Sequence, residues 1–399
     1  MKILHFSLLF AVLLCCIACQ TSEKSSTEIR LGLFNIKELS TKKLMETDSA
    51  GIGINSQLVA ARDIIQQIRP DILVINEIDH DWDAVAQGES LLENPQRFLH
   101  NYLQQGKQPL EYAYIYAAPC NTGFLSGFDL NNDGVIATEA DRGGRGYGDD
   151  CYGYGAYPGQ YSMALFSKYP IDSTAVRTFQ KFLWKALPGN HLPHDFYSPE
   201  EIAILRLSSK SHWDVPIEID GTELHVLLSH PTPPVFDGPE DRNGRRNFDE
   251  IKFWNAYISG GTGLYDDTGN ATPFSAKAQF VIIGDLNAST RNPAVYDSVK
   301  AIDQLLKNPR VQESGPFLTS KGALRGVTAG APDFFERATT EFRPGDKHRI
   351  DYILPSTGIK IIQGGVYWPD SSAAPADYQK AQIASDHHMI WLDVQLNNE

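Results

Sequence analysis

The stretch Val281-Ile282-Ile283-Gly284-Asp285-Leu286-Asn287 joins a run of branched apolar residues to a glycine, an acid and an amide. A continuous apolar run of this kind is typical of a strand that is buried on both faces of its sheet. Asp285 and Asn287 follow directly, so we expect them at the edge of the sheet, beside the strand end. Polar residues in such a place either end the strand as turn residues or contribute to a site.

Five other segments place a polar side chain next to an apolar strand. They are Phe34-Asn35-Ile36, Ile75-Asn76-Glu77, Leu228-Ser229-His230, Arg349-Ile350-Asp351 and Ser385-Asp386-His387. Each is weak evidence by itself, because Asp and Asn commonly end strands. Several such edges that converge would gather the hard oxygen ligands that Mg²⁺ or Mn²⁺ requires.

Short apolar runs rich in β-branched residues recur along the chain and predict strands. The predicted strands cover residues 29–36, 71–78, 112–118, 162–167, 202–207, 224–229, 279–283, 350–354, 359–366 and 389–396. Helical periodicity predicts helices over 56–68, 246–258 and 293–306, and Asp220-Gly221 predicts a hairpin turn. No repeat or linker divides the chain, so the pattern indicates one domain of packed sheets with helices outside.

The order and spacing of these segments resemble those of the endonuclease/exonuclease/phosphatase superfamily, which has the deoxyribonuclease I-like fold. The resemblance runs from Ile29 to the C-terminus, and its most specific pieces are residues 281–287, 349–354 and 385–387. It implies a four-layer α/β sandwich of two packed mixed β-sheets flanked by helices. It also implies a divalent-metal-dependent phosphoesterase whose active site lies where loops from both sheets meet.

The resemblance implies a role for each oxygen-bearing residue of these segments. Glu77 corresponds to the principal carboxylate ligand of a Mg²⁺ or Mn²⁺ ion. Asn35 would support that metal or the phosphate, and Asp386 would contribute to the metal shell. Asp285 and Asn287 correspond to the pair that orients the attacking water and contacts the scissile phosphate.

The resemblance also implies two functional histidines. His387 corresponds to the essential histidine of the family, and Asp351 to the acid that pairs with it. His230 corresponds to a second histidine, present in the deoxyribonuclease and sphingomyelinase branches. His388 follows His387 directly, and two consecutive strand residues face opposite sides, so only one of the two can enter the site.

Phosphodiester hydrolysis is the chemistry that these residue types suit. A metal neutralises the phosphate, and histidines transfer protons near neutral pH. The substrate class stays open between nucleic acid and a small or lipid-derived phosphodiester. The chain has 49 Asp and Glu against 35 Lys and Arg, a net charge of −14 that argues against a DNA-coating surface. A phosphomonoesterase with the same site and a non-catalytic surface-binding lipoprotein are the alternatives, and no protein partner is evident.

The N-terminus has the pattern of an export signal. Lys2 precedes an apolar run that ends at Ala18, and the following Cys19 resembles the lipidated cysteine of a bacterial lipobox. Residues 1–18 are therefore expected to be a lipoprotein signal peptide, 19–28 a flexible tether and 29–399 the folded domain. This predicts an exported protein, anchored in the membrane of the bacterial cell envelope by lipid. An ordinary secretory signal with an incidental cysteine is the alternative.

An insertion over residues 121–160 interrupts the domain and is rich in Gly, Asp and Tyr. Cys120 and Cys151 are the cysteines left after export and lipidation, and an even pair in an oxidising compartment predicts a disulfide. Two free buried thiols are the alternative.

Within the insertion, Asp129, Asn131 and Asp133 precede Gly134 as in the first half of an EF-hand loop, which predicts Ca²⁺ binding. The twelfth position is Ala140, where an EF-hand has a bidentate acid. A turn closed by Asp and Asn side chains is therefore the alternative.

A polar loop over residues 231–247 follows His230 and carries several arginines. The planar fork of a guanidinium matches phosphate oxygens, so Arg245 and Arg246 are candidates for a phosphate clamp. Pairing with nearby acids such as Asp241 and Asp249 is the alternative.

Overall fold

The computed structural model describes residues 27–291, 293–327 and 333–397. Its strands are β1 (Glu28–Leu39), β2 (Ile72–Ile78), β3 (Tyr114–Tyr116), β4 (Met163–Ser167), β5 (Arg177–Thr178), β6 (His212–Ile219), β7 (Thr222–Ser229), β8 (Gln279–Asp285), β9 (Val295–Tyr296), β10 (Val299–Lys300), β11 (Thr340–Glu341), β12 (Lys347–His348), β13 (Asp351–Pro355), β14 (Lys360–Val366) and β15 (Ile390–Gln395). Its α-helices are α1 (Thr41–Leu44), α2 (Ser56–Ile68), α3 (Trp82–Ala86), α4 (Glu93–Phe98), α5 (Arg145–Asp149), α6 (Pro199–Ile204), α7 (Arg242–Ile258), α8 (Asp303–Leu306) and α9 (Pro375–Ala384).

The larger strands form two mixed sheets. One has six strands in the order β14-β15-β1-β2-β4-β3, and the other has five in the order β13-β8-β7-β6-β5. The pairs β1–β2 and β7–β8 are parallel, and the other neighbours are antiparallel. Two short hairpins, β9–β10 and β11–β12, stand apart from the main sheets.

Alternate residues of the central strands explain the layering. In β8, Val281 and Ile283 face the core between the sheets, whereas Phe280 and Ile282 face the outer core beneath α7. In β1, Leu31 and Leu33 face the inner core, and Phe34 faces the outer core under α2 and α9. Because both faces are buried, β8 is apolar from Phe280 to Ile283 and β1 is apolar or glycine from Leu31 to Phe34. The structure thus confirms the predicted four-layer sandwich.

The topology brings the polar strand ends together. The parallel strands β1 and β2 pair at Asn35 and Asn76, near their carboxyl ends. In the second sheet, Asp351 at the start of the antiparallel β13 pairs with Asp285 at the end of β8. Strands β1 and β2 both contact β8, so the two polar edges meet.

Two predicted elements are wrong. Residues 202–207 do not form a strand, because Ser198 and Glu201 make a capping box that starts helix α6 at Pro199. Residues 293–306 do not form one helix. Asp297 and Ser298 have φ angles of 52° and 62° and turn the chain between β9 and β10, which leaves only α8 helical.

The predicted disulfide is also wrong, because Cys120 and Cys151 are free buried thiols. Each has a hydrogen-bond partner of its own: Cys120 Sγ lies 3.0 Å from Thr122 Oγ1, and Cys151 Sγ donates to Tyr147 O at 3.1 Å. A buried carboxylate closes the insertion instead. Asp150 accepts hydrogen bonds from the backbone N–H groups of residues 130 and 137, both at 2.8 Å.

The predicted signal peptide over residues 1–18 and the lipidation site at Cys19 lie outside the described residues, as does most of the predicted tether. Its last residue, Glu28, pairs with Gln395 as the first residue of β1. In the part of the chain that the structure describes, no helix has the length and apolar character needed to cross a membrane.

Candidate active site

Asp285 lies at the centre of a buried polar cluster between the two sheets. Its Oδ2 accepts a hydrogen bond from Asn35 Nδ2 at 3.0 Å, and its backbone N–H donates to Asn76 Oδ1 at 2.9 Å. Both amides come from the other sheet, so the carboxylate is fixed where the sheets meet. The sequence analysis gave Asn76 no role, although Asn76 follows a buried strand in the same way as Asn35.

His387 lies between two carboxylates. Its Nδ1 is 3.0 Å from Asp351 Oδ2, and its Nε2 is 3.8 Å from Asp285 Oδ2. Thr339 Oγ1 donates to Asp351 Oδ2 at 2.6 Å and holds that carboxylate in place. Burial acts to lower the pKa of His387, but the charges of Asp351 and Asp285 outweigh it and raise this pKa to about 10.

The pKa shifts of Asp285 and His230 favour the neutral forms of these side chains, whereas that of His387 favours its charged form. Burial raises the pKa of Asp285 to about 7, although the nearby charge of His387 opposes this shift. His230 Nε2 lies 3.5 Å from Asp285 Oδ2. Burial, together with the charges of Lys210 and His387, lowers the pKa of His230 well below its ordinary value. The site therefore combines a protonated histidine, a neutral histidine and a carboxylate that titrates near neutral pH.

Asn287 and Glu77 form the half-buried mouth above this floor. The backbone N–H of Asn287 donates to Asp285 Oδ1 at 2.9 Å. Both residues have left-handed backbone angles, with φ of 49° at Asn287 and 66° at Glu77. Strained backbone of this kind clusters at functional sites. Behind them, a Cβ at Gly284 would lie 1.9 Å from Ser229 O, so only glycine lets β7 and β8 approach this closely.

The residues at the mouth fit a divalent cation. Glu77 Oε1 accepts a hydrogen bond from Asn35 Nδ2 at 3.1 Å. Asn35 Oδ1 is buried and has no hydrogen-bond partner within the described part of the chain. A free amide oxygen beside a carboxylate is a donor set that Mg²⁺ or Mn²⁺ prefers. Asp285, Asp351 and His387 also lie close enough together to share an ion.

Asp386 stands apart from this donor set. Its Oδ2 is 2.8 Å from Lys37 Nζ, and both side chains are partly exposed. His387 and Lys37 lower the pKa of Asp386 against the effect of burial. Asp386, the third predicted metal ligand, is thus paired with Lys37. The role of Asp386 in the metal shell stays a prediction.

Lys210 is a buried cation in the site that the sequence analysis missed. Its side chain is 3.5 Å from Pro231 O, and burial lowers its pKa against the carboxylates of Glu250 and Glu77. Lys210 lies two residues before the start of β6 and three residues after the apolar run 202–207, so it does not directly follow a predicted strand. The predicted hairpin at Asp220-Gly221 could have located Lys210 at the site. The hairpin pairs His212 with Ser229, so the residues just before β6, Lys210 among them, lie beside His230.

The sequence model of the Endonuclease/Exonuclease/phosphatase family matches residues 50–387. The chain belongs to this family. Members of the family act on phosphoester bonds, and the chain is therefore an enzyme of that class. A search of curated protein sequences finds no match.

A solved structure of this family shows the same fold. An endonuclease/exonuclease/phosphatase from Beutenbergia cavernae DSM 12333 superposes with a TM-score of 0.50 at 16% identity, covering 93% of this chain and 72% of that one. A beta toxin structure from Staphylococcus aureus has a TM-score of 0.45 at 15% identity, covering 92% of this chain and 100% of that one.

In this family member, the structure decides between the two adjacent histidines. His387 enters the cluster, whereas the ring of His388 stacks on Trp368 with centroids 3.8 Å apart. Burial lowers the pKa of His388 to about 3, so it is a neutral core residue. The assignment of the essential histidine to position 387 thus agrees with the geometry.

The arginines of the 231–247 loop support the protein itself. Arg246 is half-buried and donates to four backbone carbonyls, those of Tyr152, Arg206, Leu207 and Ser208. Arg245 donates to the carbonyls of Glu240 and His191. These contacts hold the loop against the segment before β6, and the phosphate clamp at Arg245 and Arg246 stays a prediction.

Asp129, Asn131 and Asp133 come together in one exposed turn. Asp129 accepts hydrogen bonds from the N–H groups of Asp133 and Gly134, at 3.0 and 2.7 Å. Asp141, the residue after Ala140, accepts hydrogen bonds from the backbone N–H and the hydroxyl of Thr138. These contacts are those of the alternative interpretation, a turn closed by its own side chains. Calcium binding stays a prediction that titration calorimetry with Ca²⁺ checks.

The position of His387 between two acids predicts its titration. In the metal-free protein, nitrogen NMR of the histidine rings should show His387 protonated through pH 8, because its pKa is about 10. In Asp351→Asn the pKa should fall, since one raising charge is lost while burial remains. Asp346→Asn is the matched control, because Asp346 pairs with His348 instead. A wild-type His387 that loses its proton below pH 7 would contradict the arrangement.

Proposed function

We propose that this enzyme hydrolyses phosphodiester bonds by metal- and histidine-assisted attack of water. The observation that carries the proposal is the buried line Asp351–His387–Asp285, which places an imidazolium beside a carboxylate that titrates near pH 7. A base and an acid with separated pKa values are the pair that hydrolysis at neutral pH requires.

Each residue has a distinct task in this proposal. Asp285 takes a proton from the attacking water, and Asn287 helps to orient that water. The Nε2–H of His387 faces the phosphate, stabilises its growing negative charge and gives a proton to the leaving oxygen. Asp351 keeps His387 protonated and oriented through Nδ1. Glu77 and Asn35 would hold a divalent cation, which supplies charge stabilisation on the phosphate.

Substitution of the metal ligand and of the acid tests the proposal directly. Glu77→Gln and His387→Ala should each lower kcat/KM on bis(p-nitrophenyl) phosphate by roughly 10²–10⁴ with Mg²⁺ or Mn²⁺. Wild-type activity should disappear with EDTA and return with either metal. Glu139→Gln, a substitution of an exposed acid paired with Arg142, is the matched control.

Plasmid DNA, RNA and p-nitrophenyl phosphate complete the panel of substrates. Activity that survives both substitutions would show that the reaction occurs elsewhere. A wild type that acts on p-nitrophenyl phosphate alone would favour the phosphomonoesterase.

Lys210 should contribute positive charge to the bound phosphate. Lys210→Met keeps the length of the side chain but removes its charge, so kcat/KM should fall by roughly 10–100-fold, the value of one charge-assisted contact. The pKa of His230 should rise in the same variant, because Lys210 lowers it. Lys168→Met on the surface is the control. An unchanged kcat/KM in a folded Lys210→Met protein would remove Lys210 from the mechanism.

We also propose that the protein is exported and lipid-anchored through Cys19. The apolar run followed by Ala18 and Cys19 supports this. Incorporation of labelled palmitate that is lost in Cys19→Ser would be the expected result. Labelling that persists in the variant would exclude Cys19 as the anchor.

A further inference from the structure

An exposed aromatic ring lies beside the catalytic histidine. The side chain of Phe342 is 52% exposed, and its ring centroid is 6.0 Å from that of His387, in an edge-to-face arrangement. The ring of His348 is also near, with its centroid 6.2 Å from that of Phe342. An apolar ring that is left in water at the mouth of a buried polar site costs hydration free energy unless a ligand covers it.

The hairpin that carries Phe342 is attached to the catalytic segment. Thr340 in β11 forms a backbone bridge with His387, and Thr340 Oγ1 donates to the carbonyl of Asp386 at 2.7 Å. The backbone N–H of His388 also donates to Thr339 O, at 2.8 Å. Phe342 follows β11 directly, in the bend that leads to β12, and its ring lies edge-to-face to the ring of His387. The backbone of the strand before Phe342 is therefore attached to the segment that carries the reacting histidine.

The segment around Phe342 has both charges. Glu341 and Arg343 flank Phe342 in the chain, Arg343 is exposed, and Asp346 pairs with His348 at 2.9 Å. On the neighbouring loop, Arg291 lies over the rings of Phe334 and Phe335, at 5.9 and 5.7 Å, and donates to Lys347 O in β12. Aromatic rings interleaved with arginines suit a planar heterocycle joined to a phosphate. An alkyl chain would gain nothing from the guanidinium groups.

We propose that Phe342 is a specificity residue that stacks on a nucleobase next to the scissile phosphate, so that the substrate is a nucleotide or a nucleic acid strand. This inference rests on the proposed phosphodiesterase function. The contact is local, to one base, and is compatible with a protein of net charge −14 that lacks a DNA-coating surface.

Two esters with the same leaving group test the inference. Thymidine 5′-(p-nitrophenyl phosphate) carries a base, and methyl p-nitrophenyl phosphate does not. The ratio of their kcat/KM values should fall roughly tenfold in Phe342→Ala, mainly through KM, which is the size of one base-stacking contact. Phe342→Trp should keep the ratio. Phe317→Ala, an exposed phenylalanine on another loop, is the control.

The outcomes separate the possible roles of the ring. An equal loss on both esters would mean that Phe342 only supports His387, and an unchanged ratio would mean that no base contacts it. A preference for n-octyl p-nitrophenyl phosphate that Phe342→Ala abolishes would assign the ring to an alkyl chain. Each of these results overturns the inference.

Binding separates a failure of this inference from a failure of the proposed function. If the wild type hydrolyses neither ester, the proposed function fails, and anisotropy of fluorescein-labelled oligothymidylate in EDTA still measures the base contact. A roughly tenfold weaker Kd for Phe342→Ala would support stacking. An equal Kd for the two proteins would overturn it.

Discussion

The site depends on one carboxylate that is held by amides from the opposite sheet. Asn35 donates to the Asp285 side chain, and Asn76 accepts from its backbone. Two packed sheets could otherwise slide along the apolar residues between them, because dispersion and burial have little directional preference. The polar contacts at the edge define the relative position of the sheets, and with it the distance between Asp285 and His387.

Burying this many charges is costly unless they compensate one another. The protein does so in two groups. His387 is protonated between Asp351 and Asp285, and Lys210 faces Glu250, whose carboxylate also accepts hydrogen bonds from Ser209 and Thr232 at 2.7 Å. One residue removed from either group would leave an unpaired buried charge. The charge compensation that makes the burial of these groups energetically acceptable therefore also sets the difference in pKa between Asp285 and His387, which the proposed reaction uses.

Much of this arrangement could be predicted from the sequence, because strands that are buried on both faces appear in the sequence as apolar runs. Helix α2 was predicted with its observed bounds, since its apolar face is regular and Asn55 caps its start. The residues placed at strand ends, Asn35, Glu77 and Asp285, do meet. Lys210 was missed because it precedes a strand, where polar residues are ordinary.

Other errors have equally local causes. The apolar run 202–207 predicted a strand, but the capping box at Ser198 starts helix α6, which includes the first residues of that run. The disulfide was predicted from the even number of cysteines and the expected oxidising compartment. The hydrogen bonds that close the insertion determine how the two cysteines pack instead, and the spacing of residues in the sequence does not reveal those hydrogen bonds. Sequence patterns report burial and periodicity well, whereas pairing between distant side chains depends on the complete fold.

The insertion takes part in shaping the site and is more than a surface addition. Asp79, two residues after Glu77, accepts hydrogen bonds from Tyr157 and from the backbone N–H of Tyr161, the latter at 2.9 Å. Burial raises the pKa of Asp79 to about 7, so its hydrogen bonds replace water that it has lost. Tyr161 itself has a left-handed φ of 58° and lies near Glu38 and Glu77. The end of the insertion therefore forms a wall beside Glu77, the proposed metal ligand. The reacting groups belong to the sandwich, and the segments that face the rest of the substrate belong to its loops, which is where members of one fold differ in specificity.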